Sequence, residues 1–146
     1  MGNIPKITKL KLKITQDNEF ILFGLVSSEP DYKLSLTINK KFHISLRNTT
    51  PVKVIDDSGT ELAFSRFSDT SDSAGKAYNL FSNRSGKYFL LKKLKNVDYV
   101  FQLYDPENED NADFITAGLK EIESVNAVFI IDLKTFRDKN LKYLMH

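Results

Sequence analysis

Between Val52 and Leu91 the chain is cut by turn signals into short β-type runs, and this constrains the fold more than any other feature. Asp56-Asp57-Ser58-Gly59 separates Val52–Ile55 from Thr60–Phe67. The polar stretch Ser68–Gly75 leads into Lys76–Ser82, and Asn83-Arg84-Ser85-Gly86 turns the chain into Lys87–Leu91. Antiparallel neighbours can be joined by connections of hairpin length, whereas parallel ones need a long crossover. The spacing therefore predicts a four-stranded antiparallel meander.

The segments before it carry two further patterns. In residues 6–14, Leu10, Leu12 and Ile14 alternate with Lys9, Lys11 and Lys13, a period of two that predicts a strand with one dry and one wet face. Gln16-Asp17-Asn18 is a turn signal, and Glu19–Val26 reads as the hairpin partner. The next stretch supports two readings. Tyr32, Leu34, Leu36 and Ile38 alternate as a strand would, while Ser28-Glu29-Pro30-Asp31 resembles a capping box, with Ser28 as N-cap, Asp31 at N3 and Pro30 in the first turn. In the helical reading Leu34, Ile38 and Phe42 form one apolar stripe. Helix over 29–41 is preferred, followed by a short strand at Phe42–Leu46.

The last third alternates in type. Val97–Tyr104 is β-rich, the loop Asp105–Asn111 follows, and Ala112–Ser124 predicts a helix capped by Asp110, with Asp113 at N3. Ile115, Leu119 and Ile122 mark its buried face. Asn126–Leu133 reads as a dense apolar strand, and the tail Lys134–His146 as ending in a short helix. Strand, helix, strand in that order predicts a right-handed crossover between parallel strands. The whole is α+β: a mostly antiparallel sheet with two main helices on one face, in a ferredoxin-like arrangement carrying extra hairpins. With 146 residues, 41% hydrophobic and 27% charged, the composition is that of an ordinary globular chain, read as a single domain over residues 1–146.

Composition also removes chemistry. The absence of cysteine excludes disulfides, thiolate metal sites and thiol nucleophiles. Of the two histidines, His146 is the last residue and His43 lies at the predicted helix–strand junction, where a packing role is the ordinary one. The acidic run Asp105–Asp113 suggests a calcium loop, but the sixth position is Asp110 instead of Gly and the twelfth is Thr116 instead of Glu. It reads as a solvated loop that caps a helix. Gly75-Lys76 and Gly86-Lys87 lack the rest of a phosphate-binding loop, and no G-x-S-x-G occurs. No catalytic residue, metal or cofactor is therefore assigned. The N-terminus has no apolar signal run, and no stretch is long and apolar enough to span a bilayer, so the expected location is the cytoplasm.

The net charge of +2, from 21 basic and 19 acidic residues, implies no polyanion partner by itself. Local clusters are more pointed. Lys9, Lys11 and Lys13, joined by Lys40, Lys41 and Arg47 if the fold brings these nearby, would give a positive face able to meet phosphates. Lysines also guard an edge strand against pairing, and that reading is preferred. Lys92, Lys93 and Lys95 read as a solvated turn. Asp98 interrupts an apolar run, where an acid must be exposed or paired. One reading is a ligand contact on the sheet face; the other, preferred, has it facing solvent by alternation or accepting hydrogen bonds at the strand's start. Tyr99 would then face the core with its hydroxyl at the boundary.

Leu91-Lys92-Lys93-Leu94-Lys95-Asn96-Val97-Asp98-Tyr99 resembles the signature of the IPExxxVDY family, small proteins of Bacteroidetes-type bacteria, through Val97-Asp98-Tyr99. Leu91, Lys92 and Lys93 depart from its Ile-Pro-Glu half. Asp31-Tyr32-Lys33-Leu34 with Ile38-Asn39 looks like the family's early helix, and Tyr78-Asn79-Leu80 with Ser82-Asn83-Arg84-Ser85 like its central strand and turn. The resemblance implies a helix at 29–41 and brings no activity, cofactor or catalytic residue. The functional expectation is a non-enzymatic protein-binding or adaptor protein, recruiting a partner strand at an edge such as Thr49–Ile55. The alternatives are a nucleic-acid-associated protein using Lys9, Lys11 and Lys13, and an enzyme built from dispersed carboxylates such as Asp98 and Glu107.

Overall fold

The computed structural model describes residues 20–105 and 112–145. Among them, β1 (Phe20–Val26), β2 (Arg47–Ile55), β3 (Glu61–Asp69), β4 (Ala77–Ser82), β7 (Tyr99–Tyr104) and β8 (Ala127–Ile131) form one six-stranded sheet in the order β2-β3-β4-β7-β1-β8. All five pairings are antiparallel. Two helices, α1 (Asp31–Phe42) and α2 (Ala112–Lys120), lie between strands in sequence. The ribbon β5 (Arg84–Ser85) and β6 (Tyr88–Phe89) stands apart, and a 3-10 turn covers Lys139–Leu144. The fold is α+β, and four strands, β8-β1-β7-β4, have the order of a ferredoxin-like split βαβ core. Strands β2 and β3 extend that core at one edge. Because β7 and β8 each pair antiparallel with β1, they run parallel to one another with β1 between them.

The helices cover one face of the sheet. Leu34 and Ile38 of α1 and Ile115 and Leu119 of α2 pack with Phe23, Leu25, Leu80, Phe101 and Leu103. Leu34 and Ile38 are fully buried while Tyr32 and Leu36 are more than half exposed, the 3.6-residue period of a helix. Period-two alternation in this segment is thus coincidental. The opposite face buries Leu22, Phe64, Phe81 and Val100 beneath Leu90, Leu91, Val97 and Leu144. Each fully buried Phe or Leu removes enough apolar surface to contribute about 1.5–3 kcal/mol, so both faces of the sheet are needed.

Several expectations are corrected. Among the described residues, Leu22–Leu25 of β1, expected in a hairpin with residues 6–14, pair with β7 on one side and β8 on the other. Residues 6–14 themselves lie outside the described residues. Ser28 is not the helix cap: Pro30, in an extended conformation, is the N-cap, and its carbonyl accepts from Lys33 and Leu34. No strand forms at 42–46. His43 takes the left-handed conformation (φ 57°, ψ 47°) and ends α1, and Leu46 pairs both its backbone groups with the side chain of Asn39. Ser45 N–H goes to the Asp69 carboxylate. With side chains satisfying this backbone, the ladder starts only at Arg47.

The fourth strand of the meander also departs from the sheet. Asn83 is fully buried, and its Nδ2 donates to the carbonyls of Leu94 and Val97, both at 2.9 Å. Its Oδ1 accepts from Leu91 N–H at 2.7 Å. These bonds turn the chain out of the sheet plane, so Leu90 and Leu91 cap the second face instead of extending the ladder. The helix expected over 112–124 stops at Lys120, after which Ile122 and Val125 continue in i to i+3 turns and stay buried. The tail turn is capped by Asp138, whose side chain accepts from Asn140 N–H at 3.0 Å and from Lys93 N–H at 3.1 Å.

Candidate functional site

Lys9, Lys11, Lys13, Glu107 and His146 lie outside the described residues. Lys41 pairs with Glu121. Hydrogen bonds from Ser58 and Thr60 hold the Asp56 carboxyl below its usual range, and the hydrogen bond and charge of Lys139 do the same for Asp57, with the charge of Lys92 a smaller cause at both. Among the described residues no group of three or more His, Cys, Asp or Glu side chains is placed to hold a metal ion.

Asp98 sits just before β7, and both of its oxygens are engaged. Oδ1 accepts from Arg84 Nε at 2.6 Å and Oδ2 from Ser27 N–H at 2.9 Å. Arg84 also donates to the Lys95 carbonyl at 3.1 Å and lies over the Phe89 ring, 4.8 Å from its centroid. Asp98 therefore ties the end of β1, the β5–β6 ribbon and the 84–97 excursion to one point. Its neighbour Tyr99 faces the helix side, where its hydroxyl donates to the Glu29 carbonyl at 2.5 Å. Burial, with the charges of Asp31, Asp98 and Glu29, pushes the Tyr99 phenol up to about 12. Val97-Asp98-Tyr99 thus acts as a fastener between the start of α1 and the covering segment.

The two edges of the sheet differ in kind. Thr49–Ile55 does lie on the edge strand β2. However, Thr50 and Pro51 both face the single residue Ser65, which makes a bulge, and Lys53 is exposed. A proline without N–H, a bulge and a lysine are standard protections against strand addition. At the other edge, β8 reads Ala127-Val128-Phe129-Ile130-Ile131 and has no charge, proline or bulge. Among the described residues nothing pairs with its outer side. Phe129 is 45% and Ile130 50% exposed. Ile130 stands opposite Phe23 and Phe129 opposite Gly24, so the two project from opposite faces of the sheet.

The β8 edge is the element that sequence reasoning missed. An apolar run of this length is expected in a central strand buried on both faces. Its position at an edge follows only from the insertion of β1 between β7 and β8. Comparisons of the chain with protein-family models, with curated proteins and with solved structures found no match.

Proposed function

We propose that this chain is a non-enzymatic protein-binding module that acts in the cytoplasm and whose binding element is the outer edge of β8. The observation that carries the reading is a five-residue, uncharged, unbulged edge strand with Phe129 and Ile130 exposed on its two faces. The occupant is an extended, apolar segment of another protein, added antiparallel or parallel to β8. Main-chain hydrogen bonds would supply affinity, and alternate side chains packed on Phe129 and Ile130 would supply selectivity. The fastening role of Val97-Asp98-Tyr99 accords with this reading, since it leaves the family-like residues to hold the scaffold.

The test is cross-linked affinity capture from native cytosol, with and without nuclease, comparing the wild type with Ile130→Lys. A charge at an open edge blocks strand addition without entering the core. A specific partner segment cross-linked to 127–131 in the wild type and lost in the variant is the expected result. A partner held equally by Ile130→Lys, or cross-links only between copies of this chain, would overturn the proposal. Partners that disappear with nuclease would transfer the function to the lysine-rich N-terminal segment.

A further inference from the structure

A second feature lies on the face of the sheet away from the helices, at the end that the covering segments leave open. Ser68, Asn79 and Gln102 stand side by side across β3, β4 and β7. Their side chains form a one-way chain: Ser68 Oγ donates to Asn79 Oδ1, Asn79 Nδ2 to Gln102 Oε1 at 3.0 Å, and Gln102 Nε2 to the Leu144 carbonyl. They form part of the floor of a cleft of about 580 Å³ that also receives Arg66, Thr49 and Thr70. That volume falls within the range of small-molecule sites.

Arg66 carries the cation of the cleft. Its Nε–H is buried and has no hydrogen-bond partner. No ion pair among the described residues includes it, and no Asp or Glu is among the described residues lining the cleft. The residue as a whole is only part-buried, so the guanidinium borders the cleft while one of its N–H groups is shut off from water without an acceptor, which is costly unless a ligand supplies one. The surrounding groups add donors. With the Asn79 and Gln102 oxygens already accepting within the chain, each amide keeps a second N–H, and Thr49 and Thr70 bring hydroxyls. At the other end of the cleft the Phe20 and Tyr104 rings, 5.0 Å apart, and Met145 are apolar.

We propose that this cleft binds a small organic carboxylate with a compact apolar body. The carboxylate takes the Arg66 guanidinium, for which planar two-oxygen anions are the matched partner, and the body rests against Phe20 and Tyr104. The site is on a different surface from the β8 edge, and the two stand or fall separately.

The test is a nitrogen–proton NMR titration of the whole chain with benzoate, its neutral isostere benzamide, and acetate. Benzoate is expected to move the Arg66 Nε–H signal and the Asn79 and Gln102 side-chain amides in one saturable transition. Benzamide and acetate are each expected to bind at least tenfold more weakly, and Arg66→Met to lose at least tenfold in benzoate affinity. Absence of a saturable benzoate shift at these signals, equal binding of benzamide, or equal binding of acetate would overturn the assignment. So would unchanged benzoate affinity in Arg66→Met; should that variant fail to fold, the three probes on the wild type decide alone.

Discussion

Replacing Asn83 by Ala tests the account of how the second face of the sheet is closed. The side chain is fully buried and makes three hydrogen bonds to backbone groups of the 84–97 excursion. Truncation leaves the Leu91 N–H and the Val97 carbonyl without partners. Leu94 O is less affected, because it still accepts from Val97 N–H at 3.1 Å. Each orphaned buried group costs about 1–3 kcal/mol, so the expected loss is about 2–6 kcal/mol, against a total stability on the order of 5–15 kcal/mol. In urea, with a slope of about 2 kcal/mol per molar, the midpoint falls by about 1–3 M. Asn83→Asp is expected to be worse at neutral pH. It keeps the acceptor for Leu91 but turns a carboxylate toward two carbonyl oxygens. A loss below about 1 kcal/mol in Asn83→Ala, on the scale of one ordinary hydrogen bond, would show that the excursion is held by Leu90 and Leu91 alone and refute the reasoning.

Two further variants probe backbone strain and titration. His43→Gly should raise stability by about 0.5–1 kcal/mol, since the left-handed position that ends α1 penalises a Cβ; the melting temperature reads it as a rise of about 1–4 °C, and a fall would contradict the capping geometry. Tyr99, raised from 10.0 to about 12, binds its proton more tightly folded than unfolded, so its contribution is intact below pH 10 and is lost as pH climbs toward 12. Tyr99→Phe should be less stable at neutral pH through loss of the Glu29 bond, yet should show a shallower alkaline decline in chemical denaturation. Parallel declines in both proteins would contradict the assignment.

Local patterns were legible where local forces decide. The turn Asp56–Gly59 is closed by Asp56, whose carboxylate accepts from the N–H groups of Ser58 and Thr60, with Gly59 at φ 87°. That turn, the strands β3 and β4 and the stripe Leu34–Ile38 follow from residue type and period. The lateral order of strands did not, because nothing near Glu19–Val26 in sequence shows that both its sides are taken by strands some 75 to 110 residues later. The same remoteness hid the exit of Lys87–Leu91 from the meander, which depends on Asn83 meeting Leu94 and Val97. Arg66 was illegible for a related reason. Its lack of a counter-charge is a property of what surrounds it across β2 and β4, not of its sequence neighbours.

The contrast between the two edges limits how strongly the proposed partner can bind. Five residues at about 3.4 Å each give an edge roughly 17 Å long, far short of a standard protein interface. Phe129 and Ile130 are already about half covered, so completing their burial contributes about 1 kcal/mol each, half the usual gain for such side chains. Association costs at least about 4 kcal/mol in lost freedom. The apolar gain alone cannot offset that, so main-chain hydrogen bonds and the partner's own side chains must supply the remainder. Binding through β8 by itself is accordingly weak and reversible. An edge of this kind suits a partner that docks and leaves, or one held nearby by a second contact. It also explains how an unguarded strand is tolerated. A five-residue edge is too short to drive persistent self-association, whereas the nine-residue β2 would not be and carries Pro51, a bulge and Lys53.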